Sequence, residues 1–227
     1  MDNRGESNIV KKVISFCLYG NNPKYVTGMQ KNAKLAKVIF PDWEVWVYHY
    51  DVDKELLAPL NPLGARLINM TGNKLPGMFW RFLPNVDTFI VRDADSRLSL
   101  REELAVDEWM ASGKGFHVMK DHPHHNQTIM GGMFGIKPRE YDIEAKAIEW
   151  CKLDGIYGSV HVHNADQRFL REVIYPDFCN DMMVHESIGP TILGSLPFPS
   201  KMIDRRFVGE IYDENDNRDF QYKLLID

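Results

Sequence analysis

Between residues 13 and 50 the sequence reads as a strand, a helix and a strand, and that order leaves few architectures open. Val13 to Leu18 is a continuous apolar run stopped by Tyr-Gly-Asn-Asn-Pro, the pattern of a strand covered on both faces and followed by a loop. Asn22 is placed to cap a helix with Pro23 at its first position, and Val26, Met29, Ala33, Ala36 and Phe40 recur at helical spacing until Pro41 ends the run. Trp43 to Tyr50, aromatic and β-branched, is a second strand. A strand–helix–strand unit this short joins parallel neighbours, so the fold class is α/β, with a mostly parallel central sheet flanked by helices.

The rest of the chain extends that pattern. Ala65 to Met70 and Thr88 to Val91 are further strands, separated by the aromatic segment GMFWRFLP, which is too brief for a full helix. Ser99 with Glu102 forms a capping box for a helix reaching about Met110, Gly115 to Met119 is a strand, and Gly131 to Ile136 is a strand interrupted by glycine. Asp142 caps a helix with Ile143, Ala147 and Cys151 inward, and Asn164 with Gln167 caps another that stops before Pro176. Beyond Pro176 the pattern predicts loops, turns and one short helix. With no internal repeat and no Gly-, Ser- or Pro-rich linker, 227 residues read as a single domain behind a polar flexible tail over residues 1–11.

Charge and cysteine content narrow the partners. A net charge of −5 argues against nonspecific binding to nucleic acid or to an anionic membrane, although a local cationic site is compatible with it. No apolar run approaches the ~18 residues of a membrane span. Cys17, Cys151 and Cys179 have neither disulfide-framework nor zinc-ribbon spacing, which fits reduced, mostly buried thiols in a cytoplasmic chain.

Asp93-Ala94-Asp95 carries the first chemical signal. A D-x-D match is weak alone, since this many aspartates produce about 1.6 by chance, and the chain holds a second at Asp51-Val52-Asp53. Surroundings separate them. Asp51 and Asp53 run into Lys54-Glu55-Leu56-Leu57, where they suit a helix N-terminus. Asp93 and Asp95 follow the internal strand TFIV, with a small residue between them, at the strand end where α/β sheets bind ligands. Paired carboxylates there suit Mg²⁺ or Mn²⁺ on a diphosphate; a satisfied turn is the competing reading.

Five segments in order extend this signal: Phe16-Cys17-Leu18-Tyr19-Gly20, Gly77-Met78-Phe79-Trp80-Arg81-Phe82, Val91 to Arg97, Met130-Gly131-Gly132-Met133-Phe134-Gly135, and Asn164-Ala165-Asp166-Gln167-Arg168-Phe169-Leu170. Together, from Val13 to Asn217, they resemble the GT-A glycosyltransferases, most closely the compact single-domain type of chloroviruses and some bacteria. The resemblance implies a nucleotide-binding half over 1–95 and a metal and acceptor half over 96–227. It further implies a nucleotide-sugar donor, UDP-linked, a carbohydrate acceptor, and Mn²⁺ or Mg²⁺ held by Asp95 with Asp93 sharing the metal or contacting the ribose. Tyr19, Gly20 and Ala94 then lie at the nucleotide, Gly131 and Gly132 let backbone approach the donor sugar, and Asp166 with Gln167 sits beside the reactive carbon. Asp166 would bind donor hydroxyls or serve as base, unless it is only a helix-terminal carboxylate. The sequence leaves retention and inversion open, and the likeness of the Asp-Gln pair to that of retaining GT-A members inclines the expectation to retention.

Other residues keep two readings. Arg81 or Arg97 is a fixed cation for phosphate or a surface salt bridge. His185 is a third metal ligand, by analogy with related metal-dependent enzymes, or a structural histidine, and no H-x-G-x-x-K-P-W follows it. Lys201, Arg205 and Arg206 close over the phosphates or are simply solvated. The histidines around Pro123 lack structural-zinc spacing, so that loop's candidate role is an acceptor contact through Asp121 or His122; His161 and His163 read as packing or surface residues. Two rival functions remain: a nucleotidyltransferase making nucleotide sugars, against which Tyr19 to Pro23 is no Gly-rich basic loop, and an inactive carbohydrate-binding subunit.

Overall fold

The computed structural model describes residues 10–219, so residues 1–9 of the expected tail lie outside the described residues. Seven strands form one sheet: β1 (Lys12–Tyr19), β2 (Glu44–Tyr50), β3 (Arg66–Asn69), β4 (Thr88–Arg92), β5 (Phe116–Lys120), β6 (Met133–Ile136) and β7 (Met182–Glu186), in the order β3-β2-β1-β4-β6-β5-β7. Neighbours from β3 to β4 are parallel, as the strand–helix–strand start predicts. Only β6 runs against its neighbours, and β5 and β7 are again parallel.

Alternation along the strands divides the core into two layers. Ile14, Phe16, Val45, Val47 and Ile90 face a layer completed by α1 (Pro23–Ile39) and α3 (Leu100–Ala111). Trp46, Tyr48, Phe89, Val91 and Phe134 face the other, with the 3-10 helix Gly77–Phe82, α4 (Ile143–Leu153) and α5 (Ala165–Phe169). The short α2 (Lys54–Leu57) follows Asp53, whose side chain makes no capping hydrogen bond. No helix among the described residues is long and apolar enough to cross a membrane.

Four local expectations change. The helix starting at Ala165 does not stop before Pro176; a π turn over Leu170–Ile174 carries it into α6 (Tyr175–Phe178). The widened turn shifts the hydrogen-bond ladder so that the N–H proline lacks is not required. Asn164 does not cap by its side chain but adopts φ 58. Gly131 and Gly132 precede β6 instead of belonging to it, and β7 lies where loops were expected. Of the three cysteines, none disulfide-bonded, only Cys151 is fully buried; Cys17 is partly covered and Cys179 exposed.

The expected capping box forms by half. The Ser99 hydroxyl accepts the Glu102 N–H at 3.3 Å, but the Glu102 carboxylate turns inward to pair with Arg92 of β4, both side chains being 2% exposed. Arg92 Nη1 also donates to the carbonyls of Val91 and Phe134 at 2.7 and 3.0 Å. Burial pushes the Glu102 carboxyl up, and the guanidinium offsets only part of that push. Breaking a buried pair strands a charge, so Glu102→Ala should lower unfolding free energy by about 3–5 kcal/mol in urea titration. An Arg92→Met/Glu102→Leu double variant should recover most of the loss.

Candidate active site

The parallel strands β1 and β4 end at one cavity of about 710 Å³. Tyr19 and Cys17 reach it from β1; Asp93, Ala94 and Asp95 reach it from the turn after β4. That turn is fastened by α1. Fully buried Asn32 donates to the carbonyls of Ala94 and Ser96 at 3.3 and 2.9 Å and accepts the Leu98 N–H at 3.0 Å. Gly28 lies so close to the Ala94 carbonyl that a Cβ would overlap it.

Arg81, from the 3-10 helix, is the centre of the site. Its Nη1 pairs with Asp93 Oδ1 and its Nη2 with Asp166 Oδ2 at 3.0 Å, with the arginine side chain 2% exposed. Burial opposes the guanidinium charge, but the neighbouring Asp93 and Asp166 outweigh it and hold Arg81 above its usual range. Gly131 and Gly132 make the arrangement possible. A Cβ on Gly131 would stand 2.6 Å from Asp166 Oδ2, and one on Gly132 would overlap the Asp93 carboxylate. The two glycines thus leave room for two protein carboxylates.

Asp95 is mostly covered. Burial raises its affinity for a proton, the like charge of Asp93 adds to this, and Lys24 Nζ, 2.8 Å from Oδ2, opposes both. The backbone carbonyl of Asp95 accepts the Tyr212 N–H at 2.9 Å, which ties the C-terminal segment to the rim. Gln167 also lines the cavity, and its buried Oε1 has no hydrogen-bond partner among the described residues.

The cavity therefore brings together Tyr19, Arg81, Asp93, Ala94, Asp95, Gly131, Gly132, Asp166 and Gln167, which the sequence nominates from five separate segments. Other nominated residues are elsewhere. Gly20 turns the chain at φ 71 and donates its N–H to Tyr50 at 3.1 Å, outside the lining. Lys201 is exposed and off the cavity. His185 requires a correction: on β7 it is fully buried, with Nδ1 2.8 Å from His117 Nε2 and Nε2 3.3 Å from Glu108 Oε2. One ring nitrogen is engaged by His117 of β5 and the other by Glu108 of α3, outside the cavity that holds Asp93 and Asp95, so the third-ligand expectation gives way to the structural one.

Arg97 makes a salt bridge with Asp216, Arg205 and Arg206 are exposed, and buried Asp121 is held by Arg101. His122 does line the cavity, together with His124, His125, His161 and His163, and its ring packs 4.3 Å from that of Phe207. Sequence reading placed neither His161 nor His163 there and overlooked Lys24. The signal for Lys24 was available: it lies in the first turn of the helix that follows the carboxyl end of β1.

No protein-family model and no curated protein matches the chain. Solved structures do. A mannosyltransferase from Pyrobaculum calidifontis in complex with GDP-Man and Mn²⁺ aligns over 79% of this chain and 55% of its own, at 11% identity and TM-score 0.51. A glycosyltransferase involved in glycosylating the major capsid of PBCV-1 aligns over 78% and 82%, at 12% identity and TM-score 0.50. TarS residues 1–349 from S. aureus align over 77% and 57%, at 14% identity and TM-score 0.50. The chain has the GT-A fold.

On this GT-A framework several histidines are buried in the neutral form. Burial lowers His117 far below the ordinary histidine range, His125 to about 3, and His185 less, because Glu108 opposes the effect. Each binds a proton in the unfolded chain below about pH 6.5 but not in the folded one, so stability present above that pH is lost as pH falls. Each adds up to about 1.4 kcal/mol per pH unit between 6.5 and its folded value. Melting temperature should fall steeply from pH 7 to pH 5, and His125→Gln should flatten that slope.

Proposed function

We propose that this chain is a metal-dependent glycosyltransferase that moves a hexose or deoxyhexose from a nucleotide sugar, UDP-linked, to a carbohydrate hydroxyl in glycan biosynthesis. The observation that carries the reading is the convergence of Asp93, Asp95, Asp166 and Arg81 on one cavity at the carboxyl end of a GT-A sheet. The mannosyltransferase bound to GDP-Man and Mn²⁺ on the same fold supports it. We further propose that residues up to Asp95 form the nucleotide half, that the remainder forms the acceptor half, and that the chain works in the cytoplasm, where its unpaired thiols stay reduced.

The donor set fits a hard divalent cation. Asp93 and Asp95 offer oxygens only, and an ammonium already sits on Asp95 where a cation would bind. Mn²⁺ or Mg²⁺ held by the pair would neutralise charge accumulating on the departing diphosphate. Tyr19 walls the nucleotide side, its hydroxyl donating to Met78 Sδ at 3.1 Å. Gln167 Oε1 accepts a hydrogen bond from a donor-sugar hydroxyl, and Asp166, held by Arg81, orients that sugar.

Each of the three carboxylates is already paired, Asp93 and Asp166 with Arg81 and Asp95 with Lys24, so none stands ready as a base. A departing phosphate oxygen can take the acceptor's proton instead, and that route retains configuration. This favours retention over inversion.

Thermal shift against UDP, GDP, dTDP and CMP, each with and without Mn²⁺, should stabilise the protein with one nucleotide and only when metal is present; no shift with any would overturn the reading. Asp95→Ala should abolish the metal-dependent shift while leaving far-UV circular dichroism unchanged. Release of free nucleotide only after acceptor is added separates a transferase from a carbohydrate-binding subunit. Release of diphosphate from a nucleoside triphosphate would instead mark a nucleotidyltransferase.

A further inference from the structure

Two cations neutralise the aspartates of the turn after β4, and they are held in different ways. Arg81 is a buried fork shared between Asp93 and Asp166. Lys24 makes a point contact, Nζ to Asp95 Oδ2 at 2.8 Å, from a side chain that is 29% exposed. A guanidinium fixed between two carboxylates cannot leave one without stranding the other, whereas an ammonium on a four-carbon stem moves by rotation about single bonds. The backbone beneath Lys24 does not move with it, because Asn32 and Gly28 fasten α1 to the same turn. A second neighbour for the ammonium is already in place: the ring of Tyr25, which lines the cavity, lies 5.4 Å from Nζ.

We propose that Lys24 is a displaceable counter-ion: it holds Asp95 while no divalent cation is bound, gives way when one arrives, and turns to the anionic diphosphate of the donor. This rests on the proposed transferase reading and adds a residue and an order of events to it. When a divalent cation replaces the ammonium on Asp95, the site gains positive charge that two aspartates shared with Arg81 do not balance. The diphosphate supplies the balance, and the released ammonium is within reach of it. Cation alone therefore binds weakly, and cation with nucleotide binds well. Lys24 is a positioning residue in the empty site and a phosphate ligand in the loaded one.

The test is Lys24→Met, which keeps the apolar stem and removes the charge. Mn²⁺ affinity without nucleotide, read by electron paramagnetic resonance, should rise about twofold to fivefold, the factor expected for losing a competing, partly exposed ion pair. Affinity for the nucleotide selected by the thermal-shift comparison, measured at saturating Mn²⁺, should fall by at least the same factor. Lys24→Arg should restore nucleotide affinity. Opposite signs for the two ligands are what a structural role would not produce. If both affinities fall together, or if Lys24→Met matches the wild type in both, the proposal is overturned and the transferase reading stands. If the wild type binds neither Mn²⁺ nor any nucleotide, the transferase reading fails and takes this proposal with it.

Discussion

Arg81 cannot sit where it does without Asp93 and Asp166. A guanidinium at 2% exposure costs several kcal/mol to desolvate unless carboxylates face it. The two that do come from distant places, one at the end of β4 and one at the start of α5. The requirement to satisfy one buried charge therefore fixes the carboxyl end of the sheet against the first turn of a helix that arrives more than seventy residues later. Gly131 and Gly132 are the steric counterpart, since side chains there would occupy the space of those carboxylates. Charge and shape make the same demand, and the cavity forms where both are met.

A second buried arginine shows what a purely architectural pair looks like. Arg92 is adjacent to Asp93 in sequence, yet strand alternation directs it to the opposite face, where Glu102 of α3 and two backbone carbonyls receive it. That pair is not part of the lining of the cavity. Adjacent residues at one strand end thus serve unlike purposes: Arg92 anchors a helix beneath the sheet, and Asp93 faces the open space above it.

Much of this was legible in sequence because it rests on local chemistry. The apolar run at Val13, the Asn22-Pro23 start and the Trp43 strand fix a parallel sheet before any tertiary contact is considered. Asp93 and Asp95 stand out because a strand ends immediately before them. Legibility fails where long-range packing decides. Met182 to Glu186 has a weak strand pattern of its own and becomes β7 because β5 offers it an edge. Pro176 is a poor helix residue tolerated by a π turn. His185 lies in a part of the chain where a ligand would be sought, but its partners are His117 and Glu108, and nothing local reveals them. Lys24 likewise looks like any solvated helix lysine until the turn after β4 is brought beside it.

The reversed strand β6 has a structural effect beyond its sheet pairing. Because β5 and β6 are antiparallel neighbours, residues 121–132 join them as a hairpin connection at the cavity rim, and that connection carries His122, His124 and His125. Both of its ends are clamped by the sheet, so its length can change at little entropic cost to the fold. The wall opposite the β1 end is in that sense a replaceable panel. A chain built this way can acquire a new partner for the same chemistry by rewriting the middle of that connection, while Asp121, Gly131, Gly132 and the turn after β4 stay as they are.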